Sequence, residues 1–276
     1  MHTVDARGAK IPAIGLGTWT LDDAASERMV ATAIETGYRH VDTAAMYGNE
    51  VGVGAGLKAS GLPRDEVFVT TKVWHDQITQ GALQASLERS LKKLGLDHVD
   101  LALIHWPSKT IPLETSIAAL NDAKAKGLAR HIGVSNFTIP LLAEANRLSE
   151  APLVCNQIEY HPLLNQDRVI AACRSAGMAV TSYCPLARGA DLFSDPAIAG
   201  PAKRLGVSPA QVILRWHVQQ PGVVAVPRTS NPARLAENLS VFDFELTGDE
   251  MTAISALRAA GHRICDFEFS PEWDAA

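Results

Sequence analysis

Residues 82–105, ALQASLERSLKKLGLDHVDLALIH, contain one complete unit of the pattern that decides the fold. Residues 82–94 have the apolar spacing of an amphipathic helix, and Gly95 is typical of the left-handed residue that ends a helix. After a short polar turn, residues 99–105 form an apolar run that predicts a β-strand. Alternation along this strand places His105 at the end of an otherwise apolar face.

The same order of helix, glycine, turn and strand recurs along the chain. Helices directly followed by glycine are predicted over residues 24–36, 50–60, 82–94, 114–126 and 168–176. Strands are predicted over residues 13–17, 39–42, 67–72, 99–105, 130–134, 153–158, 179–183 and 223–226. Further helix starts are indicated by Thr138 with Pro140, Ser208 with Pro209, and Thr247 with Glu250. Eight strands alternating with helices in 276 residues predict an α/β fold of the (β/α)8 TIM-barrel type, as a single domain over residues 1–276.

An open, doubly wound parallel sheet is the main alternative to a closed barrel. That fold should carry the glycine-rich fingerprint G-x-G-x-x-G at a turn between a strand and a helix. The run GVGAG at residues 52–56 comes close, but position 57 is leucine and the run lies inside a predicted helix. We therefore interpret these glycines as sites of close helix packing rather than phosphate binding.

Composition limits the range of partners. The net charge of −5 does not supply the basic face that nucleic-acid binding requires. The four cysteines lack the C-x-x-C spacing of a zinc site and do not form a disulfide framework. No stretch approaches the ~18 apolar residues of a membrane span, and the N-terminus has no apolar leader core. We expect a cytoplasmic, metal-free monomer that binds neither nucleic acid nor membranes.

Polar residues end three consecutive predicted strands, where a parallel βα fold gathers its catalytic groups. Asp42, Lys72 and His105 are these residues, and Tyr47 lies in the turn after Asp42. A lysine among apolar strand residues needs a counter-ion, because an unpaired buried charge is costly. Asp42 is the natural partner of Lys72.

The four residues suit one chemical task. A phenol has a pKa near ~10, and a neighbouring ammonium stabilises the phenolate, so we expect Lys72 to lower the pKa of Tyr47. His105 could orient a bound group and donate a second hydrogen bond. Together they could protonate an oxygen that gains negative charge. Taken singly, each residue has a structural interpretation, as an ion pair or a packed histidine.

Beyond this constellation, motifs along nearly the whole chain resemble the aldo-keto reductase superfamily. They are GLGTW (15–19), GYRHVDTA (37–44), YGNE (47–50), TKVW (71–74), LIHWP (103–107), GVSNF (133–137), NQIEYHP (156–162), SYCPL (182–186) and PRT (227–229). The short chain and the ending PEWD (271–274) are most similar to bacterial 2,5-diketo-D-gluconate reductases and their methylglyoxal-reducing relatives.

The resemblance implies an NADPH-dependent reductase of aldehydes and ketones, with NADH as a weaker alternative. Tyr47 would be the general acid, tuned by Lys72 and Asp42, with His105 orienting the carbonyl. The cofactor site would comprise Gly17, Thr18, Asp42, Ser135, Asn136, Gln157, Tyr183, Pro185, Leu186, Pro227, Arg228, Thr229, Arg234, Glu237 and Asn238. The substrate pocket would comprise Trp19, Tyr47, Trp74, His105, Trp106, Phe267 and Trp273. Small or polar carbonyls such as methylglyoxal, aldehydes or keto-sugars would be the substrates.

Within the resemblance, Arg228 and Thr229 stand where the family often has lysine and serine. Charge and hydroxyl are retained, so binding of the adenosine 2′-phosphate is expected to persist. One alternative is a cofactor-binding barrel with a regulatory or structural role. Another is a barrel hydrolase that uses carboxylates such as Glu159, although the sequence offers no clear acid/base pair.

Overall fold

The computed structural model describes residues 2–275, and for Ala190 only the backbone. Its strands are β1 Thr3–Ala6, β2 Ala9–Pro12, β3 Leu16–Gly17, β4 His40–Asp42, β5 Phe68–Val73, β6 Val99–Ile104, β7 Ala129–Ser135, β8 Leu153–Glu159, β9 Ala179–Tyr183 and β10 Val223–Ala225. Its α-helices are α1 Asp23–Thr36, α2 Glu50–Ala59, α3 Ala82–Leu94, α4 Leu113–Ala125, α5 Ile139–Leu148, α6 Asp167–Ser175, α7 Ala190–Ser194, α8 Pro196–Leu205, α9 Pro209–Val218, α10 Ala233–Leu239 and α11 Gly248–Ala256.

The eight strands from β3 to β10 form one parallel sheet in the order of the chain. Bridges from Ile14 to Ala225 and from Gly17 to Arg228 join its first strand to its last. The Gly17 amide donates to the Pro227 carbonyl at 3.1 Å, and a Cβ on Gly17 would lie 2.7 Å from the carbonyl oxygen of Val226. The sheet therefore closes on itself, which confirms the predicted (β/α)8 barrel and makes the open-sheet alternative wrong.

An antiparallel hairpin of β1 and β2, which was not predicted, precedes the barrel. Its Ala6, Ala9 and Ile11 pack with Leu101 and Leu103, on the interior face of β6. The hairpin thus covers the barrel near the amino-terminal ends of its strands, opposite the end that carries His105. Each hairpin strand has four residues, which is too short for a clear alternation in sequence.

Local sequence signals predicted most ends of the helices and strands to within one or two residues of their observed positions. The glycines after the five predicted helices all have positive φ, between 66° and 120°. Thr247 forms the predicted capping box with Glu250, and the predicted helix start at Ser208 is confirmed by a capping box with Gln211 that was not predicted. Thr138 precedes α5, but its side chain makes no capping hydrogen bond. The predicted strand over residues 13–17 shortens to Leu16–Gly17, and α7 and α8 were missed.

Two further observations concern cysteines and membranes. All four cysteines are free thiols, and Cys184 alone is partly exposed. None of the helices within residues 2–275 is both long enough and apolar enough to cross a membrane.

The glycines of the GVGAG run allow α2 to pack closely on its neighbours. A Cβ on Gly52 would lie 2.0 Å from the carbonyl oxygen of Asp23, and one on Gly54 would lie 2.4 Å from that of Leu94. A Cβ on Gly56 would meet the carbonyl oxygen of Glu27 at 2.6 Å. The run is therefore a helix-packing surface, as we interpreted it, and not a phosphate loop.

We expect Gly52→Ala to lower the free energy of unfolding by about 1–3 kcal/mol, because the new methyl group collides with backbone of α1. The matched control is Gly200→Ala in α8, where a Cβ meets nothing within 4 Å. That variant should be unchanged or more stable by roughly 0.4–1 kcal/mol, through the smaller entropy of its unfolded chain. Urea denaturation of both variants tests this, and equal stabilities would contradict the packing argument.

Candidate active site

A buried ion pair lies at the carboxyl end of the barrel. The Lys72 ammonium is fully shielded from solvent and donates to Asp42 Oδ1 at 2.6 Å. It also donates to the Thr43 carbonyl at 2.8 Å and to the Tyr47 hydroxyl at 3.3 Å. Burial alone would lower the pKa of Lys72, but Asp42 and Tyr47 outweigh it and raise the pKa. The predicted pairing of Lys72 with Asp42 is confirmed, and the lysine stays charged.

Tyr47 is held over this ion pair by a short 3-10 turn, Ala45–Tyr47, between β4 and α2. Its ring stacks on Trp19 at 5.9 Å and meets the His105 ring edge-on at 5.7 Å. Burial raises the pKa of Tyr47, and the opposing effect of Lys72 does not cancel it. Lys72 does act to lower the pKa, as we expected, but the net direction is upward because the loss of water outweighs the nearby charge.

The His105 imidazole is neutral. Burial, followed by the charge of Lys72, holds the pKa of His105 well below its usual range. Its Nδ1 atom is buried, and no partner for it exists among residues 2–275. An orphaned buried N–H costs more than a bare lone pair, so we assign the proton to Nε2. His105 can then donate one hydrogen bond from Nε2.

A second group of side chains surrounds the ends of β7, β8 and β9. Gln157 donates to Asp42 Oδ2 at 2.7 Å, which joins this group to the ion pair. Asn136, with a left-handed φ of 63°, donates to the His105 carbonyl at 3.0 Å and accepts from the Tyr183 hydroxyl at 2.7 Å. Ser135 donates to the Gln157 carbonyl at 2.8 Å. These amides and hydroxyls form a connected polar surface beside an aromatic ring, which suits a flat amide-bearing group.

A third group lies between β10 and the first turn of α10. Arg228 and Arg234 are exposed, and neither guanidinium has an ion pair or hydrogen bond to any part of the chain that the structure describes. The Thr229 hydroxyl accepts from the Asn231 amide at 3.0 Å. Two unpaired arginines beside a hydroxyl have the chemistry of a phosphate site.

The remaining predicted cofactor residues border these groups. Thr18 is buried and donates to the Asp42 carbonyl at 3.1 Å. The Pro185 carbonyl accepts from His217 Nε2 at 3.1 Å, which supports the loop that contains Leu186. Pro227 accepts from Gly17 at the barrel closure, Asn238 is buried, and Glu237 is exposed.

Aromatic side chains form a wall beside His105. The Trp74 ring lies 5.1 Å from the His105 ring, and the buried Trp106 contacts the C-terminal tail. The predicted tail residues Phe267 and Trp273 lie 5.8 and 6.1 Å from Trp106. Phe269, which was not predicted, contacts Trp74 and Trp106 at 5.2 Å each and stacks on His75. Its only sequence signal was its place two residues after Phe267.

Glu159 anchors the tail and is not available as a hydrolytic carboxylate. It is fully buried and accepts from His161 Nε2 at 2.9 Å and from the amides of Ile264 and Cys265 at 2.7 Å each. Burial by itself would raise the pKa of Glu159, but these donors lower it overall. Residues 2–275 contain no cluster of three or more His, Cys, Asp or Glu side chains that could hold a metal ion.

Comparison with known proteins agrees with this geometry. Residues 13–193 and 194–259 match the profile of the aldo/keto reductase family. This chain belongs to that family. It is 46% identical to an aldo-keto reductase of Mycobacterium sp. (strain MCS) over 91% of this chain and 88% of the relative. It is 41% identical to the methylglyoxal reductase DkgB of Escherichia coli O157:H7, over 96% and 99% of the two chains.

Solved structures of this family have the same fold. One, provisionally named a 2,5-diketo-D-gluconic acid reductase B, superposes with a TM-score of 0.96 at 46% identity, over 100% of this chain and 98% of the other. The aldo-keto reductase of Bombyx mori, solved in complex with NADP, superposes with a TM-score of 0.89 at 35% identity over 96% of both chains.

We expect Lys72→Met to destabilise this aldo/keto reductase by about 3–5 kcal/mol, because it leaves the Asp42 carboxylate buried without its counter-charge. Urea denaturation measures the loss. The double variant Asp42→Asn/Lys72→Met removes both charges and should recover most of the stability. If Lys72→Met were as stable as the wild type, the ion pair with Asp42 would not contribute to stability as we expect.

Proposed function

We propose that this protein reduces aldehydes and ketones to alcohols with NADPH, as a single-domain, monomeric barrel in the cytoplasm, and uses NADH less well. The contact of the Tyr47 hydroxyl with the buried Lys72–Asp42 pair is the observation that carries the proposal. Family membership supports it, as do the methylglyoxal reductases among the relatives and the NADP complex of the Bombyx mori relative.

The second and third groups of the site, together with the loop that contains Leu186, fit the parts of a dinucleotide. Ser135, Asn136 and Gln157 would bind the nicotinamide carboxamide, and Tyr183 would stack on the ring. The loop that carries Pro185 and Leu186 would cover the pyrophosphate, beside Gly17 and Thr18. The group between β10 and α10, with its two exposed arginines, would bind the adenosine half and its 2′-phosphate. When bound, NADPH supplies a hydride to the carbonyl carbon.

Tyr47 would donate the proton. A phenol with its ordinary pKa of about 10 is protonated at neutral pH, and burial raises the pKa of Tyr47 further, so Tyr47 holds a proton that it can donate. Its proton would pass to the substrate oxygen, which gains negative charge as the carbonyl is reduced. The ammonium of Lys72 would then stabilise the remaining phenolate at 3.3 Å, and Asp42 would hold that ammonium in place.

His105 and the aromatic wall would position the substrate. A neutral His105 with its proton on Nε2 can donate to the same carbonyl oxygen without competing for the proton of Tyr47. Trp19, Trp74, Trp106, Phe267 and Trp273 would enclose the rest of the molecule, with Trp19 and Phe267 exposed at the rim. We propose small or polar carbonyls, such as methylglyoxal, simple aldehydes or keto-sugars, as substrates.

A cofactor-binding barrel with a regulatory role is the second candidate. The complete set of Asp42, Tyr47, Lys72 and His105 gives no support to it, because a purely regulatory protein has no need of a proton donor. Oxidation of NADPH in the presence of methylglyoxal distinguishes the two candidates.

Tyr47→Phe should abolish NADPH oxidation with every carbonyl substrate and leave NADPH affinity within a few-fold, because only the proton donor is lost. Tyr160→Phe is the matched control, since it removes a phenol that is bonded to Gln220 behind the site. Steady-state kinetics and fluorescence titration measure the two effects. A Tyr47→Phe enzyme that retained more than about a tenth of wild-type kcat would exclude Tyr47 as the acid.

Arg228→Ala and Arg234→Ala should each weaken NADPH binding about ten-fold or more and leave NADH binding nearly unchanged. A charge-assisted bond to a phosphate is worth roughly 1.5–3 kcal/mol, and both guanidinium groups are exposed. The wild-type preference for NADPH should also shrink as salt rises.

Fluorescence titration with both cofactors tests this prediction, and Arg147→Ala, which removes a surface arginine bonded to Glu144, is the control. Equal losses for NADH and NADPH would place the two arginines elsewhere on the cofactor. Unchanged binding of both cofactors would show that the arginines have no part in it.

A further inference from the structure

The C-terminal tail crosses the barrel mouth and is fastened at both ends. The His262 amide donates to the Leu163 carbonyl at 2.9 Å, and the next two amides after Arg263 bind the buried carboxylate of Glu159. Near the chain end, the Asp274 carboxylate accepts from the Ile139 amide at the start of α5, at 2.9 Å. The backbone on both sides of Arg263 is therefore fixed, and its side chain starts from a defined position.

The guanidinium of Arg263 lies 3.7 Å over the ring of Trp273. It has no hydrogen bond and no ion pair with any residue between 2 and 275, and its Nη1 atom is buried without a partner. Arginine remains charged at neutral pH and carries five donors, so such a group is costly unless something pairs with it. A guanidinium that stacks on a ring still directs the N–H groups along its edge outward, and these groups form a planar fork that matches a carboxylate.

The acids that face Arg263 are already engaged by other donors. The Glu159 carboxylate accepts from His161 and from two tail amides, and Asp266 accepts from Trp273 Nε1 at 3.0 Å. Glu159, Asp266 and Tyr183 act electrostatically on Arg263, but burial prevails and lowers its pKa. Among residues 2–275, no counter-charge is in contact with this cation.

The aromatic wall connects Arg263 to the proton donor. Trp273 contacts Trp106 at 6.1 Å, Trp106 and Trp74 share Phe269, and Trp74 lies against His105. The guanidinium is therefore at the far end of the wall that would enclose a carbonyl substrate.

We propose that Arg263 binds a carboxylate carried by the substrate, so that oxo acids and their like are preferred over neutral carbonyls. The proposal rests on the proposed reductase function. A carboxylate at the far end of the molecule would form paired hydrogen bonds with the Arg263 fork while the carbonyl is held near Tyr47 and His105. Arg263 would then determine specificity without any part in proton transfer.

Matched substrates isolate the charge of the carboxylate. We would compare kcat/KM for 4-carboxybenzaldehyde and succinic semialdehyde with the values for their methyl esters, in wild type, Arg263→Gln and Arg263→Lys. Arg258→Gln is the control, because its guanidinium is on the surface and pairs with Asp167 at 3.0 Å.

In wild type, kcat/KM should be higher for at least one acid than for its methyl ester. This acid-to-ester ratio should fall as the salt concentration rises. Arg263→Gln should reduce the acid-to-ester ratio for that pair about ten-fold or more, mainly through KM, as expected for a lost charge-assisted bond. Ester turnover should stay within about three-fold of wild type, and NADPH affinity should not change. Arg263→Lys should retain part of the preference, since it keeps the charge but not the fork.

Three outcomes would overturn the proposal. Equal loss of acid and ester turnover in Arg263→Gln would mean that the guanidinium only supports Trp273 and the tail. A loss of NADPH affinity would assign Arg263 to the cofactor. An acid-to-ester ratio that Arg263→Gln leaves unchanged would exclude recognition of the carboxylate. Failure of the reductase function itself looks different, because wild type would then oxidise no NADPH with either acid or ester.

Discussion

A lysine ammonium that is shielded from water needs a counter-charge inside the protein, and in this chain Asp42 supplies the counter-charge of Lys72. That requirement holds the ends of β4 and β5 in register, since the two side chains meet at 2.6 Å. The remaining donors of Lys72 fix the Thr43 carbonyl and the Tyr47 hydroxyl, and the second oxygen of Asp42 fixes Gln157 on β8. One buried charge thus orders groups from opposite sides of the barrel.

Glu159 is a second buried charge. It fixes the position of the tail, as Lys72 fixes the ends of the strands. Its oxygens accept two tail amides and His161, which brings an aromatic segment over the mouth of the barrel. Phe269 and Trp273 then complete a wall that Trp74 and Trp106 begin. The proton-donating group and the enclosing wall therefore depend on separate anchors, so a substitution in one can change substrate preference without disturbing the other.

Much of this arrangement was predictable because it follows from local rules. Glycines with positive φ end the helices where the sequence placed them, and the alternation in β6 carries His105 to the barrel mouth. The Asp42–Lys72 pair followed from the cost of a buried ammonium. The predicted lowering of the pKa of Tyr47 was wrong in its net direction. The prediction considered the nearby charge of Lys72 but not the loss of water around the phenol.

The amino-acid sequence by itself determined the order of the eight barrel strands and of most helices between them, the barrel that this order builds, and the cluster of Asp42, Tyr47, Lys72 and His105 at its strand ends. These follow from periodicity, helix termination and charge, which act over a few residues. Only the tertiary structure decided the hairpin that covers the other end, the place of Phe269 in the wall, and the lack of a partner for Arg263 among residues 2–275. Each of these depends on which distant side chains meet, and burial and missing partners cannot be read from neighbours along the chain.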